Sequence, residues 1–185
     1  IAIGYRAWGN GGSANDIGGA ENVFIGAESG GGTWATGASD KNTAVGWNTM
    51  KGAMNGATHN AALGAESLAA ITTGGSNTAL GKGAGAALTT GSANVIIGTS
   101  AGDATVDSSL HVLIGVGAGG NGDIANDGQT AVGYLALHSL TSGIKSVAVG
   151  YTALQNQTTG NRNTAIGYGA LYTADAGEDW NTVIG

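Results

Sequence analysis

The sequence predicts an all-β fold, a parallel β-solenoid (β-roll or β-helix) of ten repeats of 17 or 18 residues, the first two lengthened by insertions. Three observations carry this. A glycine-anchored pentapeptide recurs along the chain, the residue before every anchor glycine is aliphatic, and two further columns of the repeat exchange volume.

The anchor reads Asn, then Thr or Val, then often Ala, then an aliphatic residue, then Gly. Its glycines are Gly4, Gly26, Gly46, Gly64, Gly81, Gly98, Gly115, Gly133, Gly150, Gly167 and Gly185, spaced by 22, 20, 18, 17, 17, 17, 18, 17, 17 and 18 residues. Residues 1–63 therefore hold irregular repeats with longer loops and residues 64–185 regular ones, in one array that reads as a piece of a longer fibre. Before each glycine stands Ile, Val or Leu, from Ile3 to Ile184. Four residues before it, Asn22, Asn42, Asn60, Asn77, Asn94, Asn163 and Asn181 fill a slot that His111, Gln129 and Ser146 take in the other repeats. The third residue after the glycine is always Ala, Ser or Thr.

Each anchor is short, β-branched and closed by glycine, which predicts a strand. Thr72-Thr73-Gly74, Thr89-Thr90-Gly91 and Thr158-Thr159-Gly160 predict the turn that closes a unit. So short a repeat suits two strands and two turns and is too glycine-rich for a helical hairpin. Stacked coils would rise by about 4.8 Å each, and the Asn slot would build an amide ladder along the stack.

Strand alternation sets the residues one and three before the glycine on one face and the residue two before it on the other. That inner candidate is Ala in seven anchors and bulky in four: Phe24, Ile96, Leu113 and Val183. After an Ala anchor the fourth residue beyond the glycine is large, as in Trp8, Met50, Leu68, Leu137, Leu154 and Leu171; after Phe24, Ile96 and Leu113 it is Gly30, Gly102 and Gly119. Only the unit with Ala79 and Gly85 departs. Close packing demands such an exchange, so the two columns should share one packed layer. The aliphatic residue on the other face also calls for burial. A strand apolar on both faces needs two covers: one from the second strand of its own coil, and the other either from another copy of the chain or from a sheet sandwiched within one chain.

Composition narrows the function. With 37 Gly, no Pro and no Cys, the chain lacks the period and proline of collagen, and it holds neither disulfides nor thiolate metal sites. A net charge of −6 with six scattered basic residues argues against nucleic acid, and no apolar run is long enough for a membrane span.

Apparent chemical motifs dissolve into the repeat. Gly98-Thr99-Ser100-Ala101-Gly102 spells a nucleophile elbow and Gly115 to Gly120 spells GxGxxG, yet neither precedes a predicted helix. Asp103, Asp107, Asp123, Asp127, Asp175, Glu178 and Asp179 fall in turns, with solvated acids favoured over a calcium site. His59, His111 and His138 lack metal-ligand spacing. No enzyme activity, cofactor or metal is expected. Directly after the anchor glycine stand Tyr5, Trp47, Tyr134, Tyr151 and Tyr168, which predict an aromatic ladder or a stripe for stacking on sugars. The loops 10–20 and 31–41, with Trp34, are a second candidate contact surface.

The unit Asn163-Thr164-Ala165-Ile166-Gly167-Tyr168-Gly169-Ala170-Leu171 and the anchor Asn42-Thr43-Ala44-Val45-Gly46 resemble repeats of bacteriophage tail fibres and related cell-surface fibre proteins. They are also similar to the head repeats of trimeric autotransporter adhesins, the YadA-like head, whose unit is shorter and reads more like Ser-x-Ala-x-Gly. The 17-residue unit with its Thr-Thr-Gly turns lies nearer the phage type. The resemblance implies a left-handed parallel β-roll or an interwound β-helix, homotrimeric, extracellular, on a virion or cell surface. The expected function is a structural or adhesive segment, a stiff rod supporting host or surface attachment. The alternative is a carbohydrate-binding module using the aromatic stripe, with surface polysaccharide as partner.

Overall fold

The computed structural model describes residues 1–8, 19–34, 37–121, 124, 127–173 and 177–185. Every anchor becomes a strand: β1 (Ala2–Ile3), β2 (Val23–Ile25), β3 (Thr43–Val45), β4 (Ala61–Leu63), β5 (Thr78–Leu80), β6 (Val95–Ile97), β7 (Val112–Ile114), β8 (Thr130–Val132), β9 (Val147–Val149), β10 (Thr164–Ile166) and β11 (Thr182–Ile184). They form one parallel sheet in sequence order. Equivalent residues face each other across every pair, as in Ala44 with Ala62 and Ala62 with Ala79. Each strand thus takes its neighbours from the same chain, and the coils stack within one chain instead of interwinding.

The anchor glycine is required by this stacking. From Gly4 to Gly167 its φ lies between +129° and +143°, a region L side chains rarely adopt. A Cβ there would fall 2.1–2.6 Å from the carbonyl oxygen of the next anchor glycine. Both obstacles hold in every coil.

The second strand expected in each repeat is absent among the described residues. The remainder of the coil runs through turns and bends joined to adjacent coils by backbone hydrogen bonds, such as Leu68 N–H to the Ala84 carbonyl at 3.0 Å and Thr72 N–H to that of Thr89 at 2.9 Å. The physical reason is left-handed backbone at three recurring positions. In one coil these are Glu66 (φ 60°), Leu68 (φ 48°) and Ser76 (φ 59°). Each such residue interrupts the extended backbone that a second ladder requires.

The inward residue of β2 to β10 is at most 3 % exposed, so the two-before-glycine column faces the interior as alternation predicts. It shares its layer with the fourth residue after the glycine. A Cβ on Gly30 would lie 2.7 Å from the Phe24 ring, and one on Gly102 or Gly119 would lie 2.8 or 3.0 Å from Leu113. Gly85 explains its own departure. Its Cβ position is 3.0 Å from both Leu68 and Ile96, so the two flanking coils fill the space. Volume is therefore balanced between neighbouring coils as well as within one.

Candidate functional site

Three features of the coil reach beyond plain packing: a buried polar ladder, an outer aliphatic row and a ring stack. The first is built on the Asn slot. Each slot residue accepts the backbone N–H of the next through its side chain: Asn60 N–H to Asn42 Oδ1 at 3.0 Å, Asn77 to Asn60 at 3.0 Å and Asn94 to Asn77 at 3.0 Å. The series continues through His111, Gln129, Ser146 and Asn163 to Asn181 without a gap. The amide nitrogen of Asn60 also donates to the Gly74 carbonyl at 2.9 Å, and that of Asn77 to the Gly91 carbonyl at 2.9 Å. The buried amides of the slot are thereby satisfied, which makes the slot selective for side chains that accept.

A second ladder was not read from the sequence. Two residues before the slot, a side-chain oxygen accepts the backbone N–H of the preceding coil: Gly75 to Ser92, Ser92 to Ser109, Ser109 to Asp127, and Asn161 to Asp179. Asp127 and Asp179, expected to be solvated turn acids, thus act as acceptors between coils. The signal available was the recurrence of Ser, Asn and Asp at that column. Among the described residues no three His, Asp or Glu gather where they could hold a metal; Asp123 and Asp175 lie outside the described residues.

The outer aliphatic row stays partly open to solvent among the described residues. Leu63 is 51 % exposed and Leu80 43 %, while Ile25, Val45, Ile97, Ile114, Val132 and Val149 are half-buried. The residue two positions earlier on the same face is Val, Thr or Ala throughout β2 to β11. This face of the strands is therefore uncharged, built of Val, Ile, Leu, Thr and Ala, with no Lys, Arg, Asp or Glu among its residues.

The structure joins three of the candidate aromatic residues. Tyr134 and Tyr151 stack with ring centroids 5.0 Å apart, and Tyr151 and Tyr168 stack at 5.2 Å. Both faces of Tyr151 are thus taken by its neighbours, which leaves ring edges and hydroxyls to solvent. A groove of about 580 Å³ follows the stack, lined by Tyr134, Tyr151, Tyr168, Tyr172, Thr152 and Gln155 among others. Tyr5 and Trp47 are exposed in the same column but are separated from that stack and from each other by coils carrying Ala27, Ala65, Lys82, Thr99 and Val116. Trp34 lies elsewhere. It stacks on Trp8 at 5.8 Å, meets the edge of Phe24 at 5.7 Å, and donates its indole N–H to the Gly30 carbonyl. In the loops 10–20 and 31–41, residues 10–18 and 35–36 lie outside the described residues.

Ser100 occupies a left-handed position (φ 52°) equivalent to Glu66 and Thr152, and no helix follows it. It has the surroundings of a coil corner and not those of a nucleophile elbow. Comparison with family models, with curated proteins and with solved structures returns no match.

Proposed function

We propose that this chain is a structural or adhesive segment of a homotrimeric fibre, a stiff non-catalytic rod that supports attachment at a virion or cell surface. The observation that carries this reading is the outer aliphatic row. It runs the length of the sheet with no charge among its strand residues, and it stays partly open to solvent along that length. A cover must match a stripe that repeats at about 4.8 Å per coil. A second copy of the same solenoid supplies that repeat by construction, while a globular partner of irregular surface does not. Three copies with this face turned to a common axis close the set and leave no unpaired apolar surface. The location outside the cell and the choice of three copies rest on the resemblance to tail fibres and adhesin heads.

Sedimentation equilibrium on the chain tests this. The expected mass is that of three chains, and a Leu63→Lys, Leu80→Lys double variant is expected to run as one chain with its far-ultraviolet spectrum unchanged. A single-chain mass for the unaltered protein at micromolar concentration would falsify the reading.

The groove beside the tyrosines favours a second reading, a site for a neutral polysaccharide. Its named lining side chains are uncharged and combine phenol, amide and hydroxyl groups with ring edges. A glycan array would support it if a neutral saccharide bound the chain and binding vanished in Tyr134→Ala, Tyr151→Ala with the oligomer intact. An array blank for the unaltered chain would dismiss it.

A further inference from the structure

The interior of the rod changes character near its middle. Buried apolar side chains form one cluster from Phe24 to Ala101 and a second from Leu113 to Ala170. Between them the buried side chains are Thr105, Ser108 and His111. Gly102 lies between Ile96 and Leu113 and contributes no side chain to join the clusters. Thr105 occupies the column that Leu88 and Leu140 fill in other coils, and its buried hydroxyl has no hydrogen-bond partner. This coil therefore holds its neighbours with less buried apolar side chain than the coils carrying Leu88 and Leu140 in that column.

The polar ladder changes at the same coil. His111 donates its backbone N–H to Asn94 Oδ1 at 2.9 Å, and its ring Nδ1 receives the Gln129 N–H at 3.2 Å. Its Nε2 lies 3.1 Å from Ser108 Oγ, whose hydroxyl is bonded to the Ile124 carbonyl. A backbone N–H can only donate, so Nδ1 must hold a lone pair and the ring proton must sit on Nε2. That proton goes to Ser108, which passes its own to Ile124. One neutral tautomer satisfies the whole chain of bonds. The imidazolium does not, because its Nδ1–H would point at the Gln129 N–H. Asn, Gln and Ser in the other slots take up no proton in this way.

We propose that His111 makes this coil an acid-triggered joint, at which one proton taken up on Nδ1 cuts the ladder between Asn94 and Gln129 and opens the rod between two folded blocks. The slot residues on either side, Asn94 and Gln129, are neutral, as is Ser108. The charged group acting on the ring is Asp127 on the next coil, which favours the imidazolium. Burial outweighs it and pushes the pKa of His111 down to about 4 from an ordinary 6.5. The folded coil thus prefers the neutral ring, while the opened coil takes a proton near the ordinary value. Stabilisation by this group is complete above pH 6.5 and is lost as the pH falls from 6.5 towards 4. Between pH 7 and pH 4 the opening equilibrium rises by roughly 100-fold.

Hydrogen exchange by mass spectrometry on the full chain, corrected for intrinsic rates, reads the joint directly. Between pH 7 and 4, peptides within 102–112 are expected to lose protection while those from 61–97 and 130–149 keep theirs. His111→Asn restores the usual slot residue and should abolish that local loss, whereas His59→Asn and His138→Asn should leave it unchanged. Acid-induced opening that persists in His111→Asn overturns the proposal. Nitrogen NMR of the unaltered chain decides independently of any variant: a ring proton on Nδ1 at pH 7, or a His111 titration near the ordinary value, also overturns it.

Discussion

At each anchor the glycine meets two demands that no other residue meets together: a backbone near φ +135° and a Cβ position already occupied by the next coil's carbonyl. The sequence shows the invariance of this residue, and the structure separates its two causes. Gly98 carries both, with φ +134° and a would-be Cβ 2.4 Å from the Gly115 oxygen. Gly56 carries only the first, at φ +100° with nothing within 4 Å. Gly56→Ala should therefore cost about 1 kcal/mol, the backbone share alone. Gly98→Ala should cost on the order of 3–5 kcal/mol, because the coils must also part to admit the methyl group. Denaturant unfolding of the two variants checks this, and equal losses would show that coil spacing plays no part. Left-handed residues other than glycine were not legible in the sequence. Nothing in the composition of Leu68, Met50 or Glu66 announces φ between 48° and 60°. Those positions are enforced by the ladders around them, and they are why a second strand was expected where turns are found.

At the scale of the coil, the exchange of volume between columns was visible in the sequence because close packing leaves a record in residue size. It predicts a coupling. Leu113→Ala empties part of the layer and should cost about 2–4 kcal/mol, while Gly119→Leu overfills it. Gly119 already has φ +60°, and Leu137 holds the same position in another coil at φ 51°, so the backbone accepts leucine there. The double variant reproduces the arrangement of Ala131 with Leu137 and should recover on the order of 1–3 kcal/mol relative to the sum of the singles. A strictly additive double-mutant cycle would mean the two positions do not share a layer. The Asn ladder was legible for the same reason, since one chemical need repeats at one column. The second ladder was less so: Ser, Asn and Asp answer the same need for an acceptor, and a column that changes residue type hides its common role. The aromatic column misled in the opposite way. Its residues share a register, yet only Tyr134, Tyr151 and Tyr168 occupy consecutive coils, and stacking requires consecutive coils.

Over the whole molecule, coils that contact only their neighbours make stability a sum of repeat and interface contributions. The test is to remove one complete unit. Deleting residues 147–163 joins Ser146 to Thr164, and the spacing from Gly133 to the next anchor, Gly167, remains 17 residues. The lost coil pairs Ala148 with Leu154, matching Ala131 with Leu137 before it and Ala165 with Leu171 after it. Its removal also takes away Gln157, a buried amide with no hydrogen-bond partner, and sets Tyr134 beside Tyr168. The shortened chain should fold, lose about 4.8 Å of length by small-angle scattering, and lose roughly one-tenth of its denaturant dependence. Deleting only residues 147–155 should not be tolerated. That change puts Gln157 at the inward strand position and Thr159 at the anchor, where a side chain meets the next coil's carbonyl. Loss of the fold in both deletions would mean that the rod is held by contacts that pass over more than one coil. Survival of both would mean that the anchor register does not set the stack. The predicted result, survival of the whole-unit deletion alone, requires that register and nearest-neighbour packing together specify the rod.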